Sequence, residues 1–322
     1  MKLSFDMSNR ILLAVDSSNF MYYCISIAFS SWCANYKEDA SLHIKPIKET
    51  DQNNLPNIIV SKLFRRELGK VVQKRLESIL WIVKNNHQED VDLASGIDVI
   101  FTEDDGLGGN FRKIKCPEYK ANRKFIPRNF DMSKAKDYVR NVLFKELGIE
   151  EKLGYGFVRV PNCESDDIIA TLMKRFTDYR CRIILSSDRD FLQLRDVYQY
   201  NLGGQRVERV IKKHEDMVMT PDEFRLWKII RGDISDNIKG VFPKYGDVKS
   251  YRLVKDKPTL RQMLSESQEA ANRYLLNKYL IDFKSIPEDV EEKIYNALCE
   301  KMKDFELRSH ADEFILNECM DI

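Results

Sequence analysis

The stretches ILLAVDSSN (11–19), PNCESDDIIATL (161–172), CRIILSSDRDFLQL (181–194) and IIRGDISDNIKGV (229–241) decide how this chain reads. Each couples an apolar run to acids at or just beyond its end: Asp16; Glu164, Asp166 and Asp167; Asp188 and Asp190; Asp236. Ile11–Val15 is short and wholly apolar, as strands buried on both faces of a parallel sheet are. Carboxylates gathered beyond buried strands repel one another, so a fold that keeps several implies a positive charge among them. Hard divalent cations with oxygen ligands fill that role, and paired Mg²⁺ ions drive phosphodiester hydrolysis. Acids at a helix start also act as caps, worth up to ~1 kcal/mol. Capping accounts for one cluster, not for several on one edge.

Working outward, a helix is expected from about Phe20, a loop over the polar Tyr36–Asn57, and a long helix over Val60–Lys84. Strands are expected at Ile97–Phe101, Phe157–Val160 and Arg182–Leu185, with a helix over Ser165–Phe176 and further β-rich sequence from Val197 to Val210. From Thr220 the pattern turns helical, opening on the start signal Thr220-Pro221-Asp222-Glu223. Strand–helix alternation followed by helices predicts an α/β fold, a central mostly parallel sheet flanked by helices, with a helical C-terminal region. The expected division is an α/β core over 1–215 and a helical domain over 216–322. Ligands of such sheets gather beyond the carboxyl ends of the strands. That places Asp16, the acids of EDDGLGGN (103–110) and Asp188 on one edge. Gly106–Gly109 lacks the spacing of a dinucleotide loop, and no Walker motif supports ATP hydrolysis.

The 322 residues carry 52 Lys+Arg against 51 Asp+Glu, a net +1 that hides segregation. Arg112–Lys145 is strongly basic, and KLFRRELGKVVQKR (62–75) forms a second basic stretch. Local basic stripes on a near-neutral chain suit a nucleic-acid binder that also holds metals with acids, although solvated helix faces look the same. Seven scattered cysteines without a CxxC pair imply reduced thiols, and four histidines at no ligand spacing argue against zinc chemistry. Lys2 and Arg10 ahead of an apolar run imitate a signal peptide, but Asp16-Ser17-Ser18-Asn19 interrupts it. A cytoplasmic protein without a membrane partner is therefore expected.

In VDSSN, DDGLGGNFRKIKCPEYKANR, ESDDIIATL, SSDRDFLQL and GDISDNIKGV, spanning Val15 to Val241, the chain resembles the 5′-nuclease (flap endonuclease) superfamily. NRYLLNKYLIDFKSIPEDVEEKIYNAL, from Asn272, is similar to the C-terminal region of the ribonuclease H of T-even bacteriophages. The resemblance implies a PIN-like core with two Mg²⁺ ions, Mn²⁺ substituting. Asp16, Asp166, Asp188 and an acid of the glycine turn would hold one ion, with Asp104 favoured over Asp105. Asp190, Asp233 and Asp236 would hold the second, with Glu164 and Asp167 contributing directly or through water. It further implies a helical arch over about 106–150, where Lys120 and Arg123 meet the scissile phosphate or threaded strand and Arg112 also reaches phosphate. Tyr119 would stack on a base, with Lys113, Lys115 and Lys124 as further nucleic-acid contacts. Over about 220–255 it implies a helix–turns–helix module gripping duplex DNA through Gly240, Lys244, Gly246 and Lys249. Lys239 stands where proline is usual, which leaves the family's K⁺ bridge at this module open. The activity implied is a 5′→3′ exonuclease and flap endonuclease on DNA and RNA–DNA duplexes, removing replication primers. A branched-DNA repair nuclease and a catalytically silent DNA-binding protein are the alternatives. A monomer is expected, without a fused polymerase. The tail HADEFILNECMDI (310–322) is a candidate contact for a single-strand-binding protein or sliding clamp, or an ordinary terminal helix.

Overall fold

The structure, a computed structural model, describes residues 7–87, 96–105, 110–123, 127–148, 154–208, 210–212 and 216–308. Its centre is a sheet of β1 (Ile11–Asp16), β2 (Ile97–Glu103), β3 (Gly154–Arg159), β4 (Cys181–Leu185) and β5 (Tyr198–Tyr200). The order is β3-β2-β1-β4-β5 and every pairing is parallel. β1 is buried throughout, and its two faces feed different cores. Ile11, Leu13 and Val15 join Phe20, Trp32, Phe64 and Leu68 on one side. Leu12 and Ala14 join Ile168, Leu172, Ile294 and Leu298 on the other. That period of two is the pleat itself, and coverage of both faces explains why the strand alternates nothing in hydropathy. The chain moves one way from β1 to β3 and the other way from β4 to β5, so the strand order reverses at the β1/β4 crevice.

Helices α1 (Ser17–Asn35) and α3 (Lys62–Asn86) cover the first face. The expected loop between them contains α2 (Lys37–His43) and a 3₁₀ turn at Ile47–Glu49. No apolar periodicity announces α2. It is pinned by Asp39, whose carboxylate accepts from the Trp32 indole at 2.7 Å and from the Ser61 hydroxyl. Short α4 (Phe111–Lys115) and α5 (Met132–Tyr138), the latter running through a π turn at Val139–Leu143, stand in the expected arch region. Residues 106–109, 124–126 and 149–150 of that region lie outside the described residues.

On the second face lie α6 (Ser165–Arg175) and α11 (Glu288–Arg308), the latter packed on β3 and α6. Between them come the hairpin β6 (Val210–Lys212) and β7 (Asp216–Val218), then α7 (Pro221–Arg231), α8 (Asp247–Lys255), α9 (Lys257–Glu266) and α10 (Gln268–Ile281). Phe224, Trp227, Leu253 and Leu260 give this helical part its own core. The expected border at 215/216 falls inside the hairpin, and α11 rejoins the α/β layer.

α7 begins at the start signal expected over Thr220–Glu223, where Thr220 and Glu223 form a capping box, and ends at Gly232, whose φ is +73°. A Cβ there would lie 2.5 Å from the Ile238 carbonyl oxygen and 2.6 Å from the Lys239 carbonyl carbon. Gly232→Ala is therefore expected to cost about 3 kcal/mol, read as a lower denaturant midpoint at unchanged slope.

Candidate active site

Asp16 ends β1 and caps α1, accepting from the Asn19 amide at 3.1 Å. Ser186, just past β4, reaches its other oxygen at 3.4 Å and accepts from the Asp188 amide at 3.1 Å. Asp104, past β2, accepts from the Ser165 amide at 2.9 Å and from the Ser18 hydroxyl at 3.4 Å. Asp166 stands in the first turn of α6. Asp16, Asp104 and Asp188 thus stand at or just past the carboxyl ends of β1, β2 and β4, with Asp166 at the start of α6. Loss of water pushes Asp16 up to about 6, and Asp104 and Asp188 add to the shift. Asp166 is pushed well above the carboxylate range by the same loss of water, then by Asp188 and Asp16. The opposing charges are Lys136 of α5, facing Asp16, and Lys120, facing Asp166. Asp105 turns away to Arg159 (3.1 Å) and the Asn162 amide (2.8 Å), so of the two turn acids Asp104 faces the crevice.

Beside this group, Lys228 contacts Asp190 and lies 2.8 Å from Asp233. Lys120 donates to Glu164 at 2.6 Å, and its backbone amide donates to the Asp236 carbonyl at 2.9 Å. Arg123, largely exposed, reaches Asp236 at 3.0 Å. The donors are all carboxylate oxygens, a set suited to hard divalent cations. Among the described residues no three acid, His or Cys side chains form a ready ligand shell. An open oxygen edge suits Mg²⁺, which keeps several waters and takes one or two carboxylates.

Other expected site residues have different surroundings. Arg112, 3% exposed, forms a two-pronged pair with the fully buried Asp167 (2.7 and 2.8 Å), and its Nε donates to the Leu280 carbonyl at 2.8 Å. This is a buried structural bridge between α4, α6 and α10, in place of the expected phosphate and metal contacts. Tyr119, 4% exposed, offers no ring face to a base; its hydroxyl donates to Glu164 at 3.0 Å. Burial, reinforced by Glu164, drives its phenol far above the usual range, so it remains a donor. Lys113 and Lys115 lie exposed on α4, Lys115 over the Tyr279 ring, while Lys124 lies outside the described residues. In the module formed by α7, the turns and α8, Gly240 has a packing reason: a Cβ would lie 2.9 Å from the Arg231 carbonyl. Gly246 faces open space, beside exposed Lys244 and Lys249. Lys136 and Lys228 were not singled out by sequence. One sat in a general basic run, the other in the apolar helix WKIIR, where a lysine five residues before Asp233 was the available signal.

The raised carboxyls give a pH signature. A group that binds its proton more tightly when folded destabilises the folded state as pH rises through its folded value. With the unfolded carboxyl near ~3.9, Asp16 alone should add about 1 kcal/mol on going from pH 7.5 to 5 in chelator. A melting series should show this gain, and millimolar Mg²⁺ should flatten it.

Residues 70–225 match the profile of the 5′-3′ exonuclease N-terminal, resolvase-like domain. Over that span the chain is similar to the 5′-3′ exonuclease domain family. A 5′-3′ exonuclease of Mycoplasmopsis pulmonis is 29% identical over 185 residues, 56% of either chain. A thermostable DNA polymerase I of Thermus thermophilus is 30% identical over 198 residues, 54% of this chain and 22% of the polymerase. The chain thus matches about half the length of the first relative and a smaller share of the polymerase. In fold it resembles T5 5′-exonuclease. A mutant of that protein superposes with a TM-score of 0.52 at 15% identity, covering 91% of this chain and 99% of the other. Its zinc-bound form gives 0.50 at 17%, covering 93% and 100%.

Proposed function

We propose that this chain is a Mg²⁺-dependent 5′→3′ exonuclease and flap endonuclease that hydrolyses phosphodiester bonds in DNA and RNA–DNA duplexes and removes RNA primers. The observation that carries the reading is the edge of Asp16, Asp104, Asp166 and Asp188 faced by Lys120 in a 5′-3′ exonuclease domain. Bound divalent cations would supply an activated water and neutralise charge on the phosphate and leaving oxygen. The carboxylates would hold those cations, while Ser18, Ser165, Ser186 and Asn19 hold the carboxylates through the contacts above. Lys120 and Arg123 offer their cations to a phosphate entering beside Glu164 and Asp236. Gly246, Lys244 and Lys249 present an open backbone and positive charge to the duplex. The exposed Lys62, Arg66, Lys70 and Lys74 of α3 add to the positive field. No helix of the described residues is long and apolar enough to cross a membrane.

The test compares a 5′-labelled flap with a 5′-labelled RNA primer on DNA, each with Mg²⁺ or EDTA. Metal-dependent short 5′ products support the reading, and the faster substrate separates primer removal from branch repair. Tight binding without cleavage would favour the silent binder. Lys120→Ala should slow single-turnover cleavage by about 10²-fold with binding changed only a few-fold. A change confined to affinity would remove Lys120 from the chemistry.

A further inference from the structure

A second cleft opens around the N-terminal half of α7, whose other end, roughly 16 Å along the helix, leads to Asp233. It holds about 610 Å³, within the range of ligand pockets, between α7, the start of α9, α10 and the turn at Phe283–Ser285. Leu226 and Ile229 of α7 and the half-buried Tyr274 of α10 give it an apolar and aromatic lining. The carboxylates here are already matched. Glu223 accepts from Lys255 at 2.6 Å and from the Thr220 amide at 2.9 Å. Asp222 faces Arg195, Arg225 at 3.2 Å and Lys284 at 3.6 Å. Asp282, 3% exposed, accepts from the Lys284 amide at 2.9 Å and lies 3.6 Å from Arg225. Lys257 and Lys278 line the same cleft, are exposed, and have no ion pair among the described residues. Cations therefore outnumber acids. Lys284 registers the surplus: loss of water and then Arg225 hold its ammonium below the usual lysine range, Arg195 and Lys174 adding and Asp282 opposing.

We propose that this cleft binds a nucleotide, its phosphate on Lys257, Lys278 and Lys284 and its base against Tyr274, Leu226 and Ile229. A cleft walled by protein and carrying a surplus of one charge concentrates counter-ions. Lysine ammonium groups act on phosphate as point charges, and they need no fixed fork geometry to do so. Charge alone would suit any anion, but the lining asks for more. A bare phosphate leaves Tyr274, Leu226 and Ile229 wet, whereas a nucleobase covers them and stacks on the phenol ring. An ion-pair cluster serving only to join helices gives no account of Lys257 and Lys278, which pair with no acid. The nucleotide is either free or part of an unpaired strand, since both present the same phosphate and base. None of the residues of the acidic edge takes part, so the inference stands apart from the chemistry proposed there.

The experiment is calorimetric titration of the full-length protein in EDTA with AMP, inorganic phosphate and 5′-phosphorylated tetrathymidylate. AMP or tetrathymidylate is expected to bind once per chain, about ten-fold or more tighter than inorganic phosphate. Lys257→Glu combined with Lys278→Glu should weaken that binding about ten-fold or more, and Tyr274→Leu should bring it down towards inorganic phosphate. Lys62→Glu combined with Lys74→Glu, the same change of net charge on α3, should leave it within a few-fold of wild type. The tighter of the two probes that also responds to the cleft variants names the natural form, free nucleotide or unpaired strand. Absence of binding by both at millimolar concentration would overturn the inference. Affinity unchanged in the cleft double variant, or an equal loss in the α3 control, would do the same. Melting curves check that the variants are folded, and the wild-type preference over inorganic phosphate tests the cleft without any variant. Binding read in EDTA holds or fails regardless of whether the protein cleaves a flap.

Discussion

Asp166→Asn is expected to slow phosphodiester cleavage by on the order of 10²–10³-fold while leaving duplex binding within a few-fold. The carboxylate stands in the first turn of α6, faces Asp16 and Asp188, and is held far above its ordinary range by loss of water and by those neighbours. The amide keeps the shape and removes the charge. It should therefore raise the melting temperature in chelator, because like-charge repulsion is relieved, and reduce the further rise caused by Mg²⁺. Turnover lost together with metal-free stability gained is the signature of a metal-holding acid. A structural acid, stabilised by its partners, would show lower stability on the same substitution. Single-turnover rates and melting curves with and without metal separate the two.

Arg112→Ala is expected to destabilise the protein by about 3–5 kcal/mol. It leaves the fully buried Asp167 without its partner and removes the bond to the Leu280 carbonyl that ties α4 to α10. Asp167 also accepts from the Glu164 amide at 3.2 Å, closing the capping box of α6, so the damage spreads to the helix carrying Asp166. Changing both members to apolar residues, Arg112→Met with Asp167→Leu, should recover much of the loss, since no uncompensated charge remains. Denaturant midpoints of the single and double variants check this. A stable Arg112→Ala with slow turnover would return Arg112 to the phosphate.

What the sequence made legible follows from local rules. Apolar runs ending in Asp16 and Ser186-Ser187-Asp188 mark parallel strands that expose their carboxyl ends, and Thr220 and Glu223 announce α7 because their partnership spans only four residues. α2 was hidden because Asp39, anchored by Trp32 and Ser61, holds it rather than an apolar stripe. The choice between Asp104 and Asp105 depends on which neighbour each finds, Ser165 or Arg159, and both partners lie more than 50 residues away. Tyr119 and Arg112 look alike in sequence as members of a basic, aromatic segment. Only the fold shows that Glu164 and Asp167 draw them inward. Lys228 is silent for the same reason, since a lysine in an apolar helix reveals its partners only when the turn after Gly232 brings Asp233 back beneath it.

The most direct test of the central claim is the anomalous difference map of a crystal soaked in Mn²⁺ without substrate. A peak bounded by Asp16, Asp104, Asp166 and Asp188 in the β1/β4 crevice is the predicted result. A crevice without a peak at Mn²⁺ concentrations that support cleavage, or a peak held only by other residues, would contradict it.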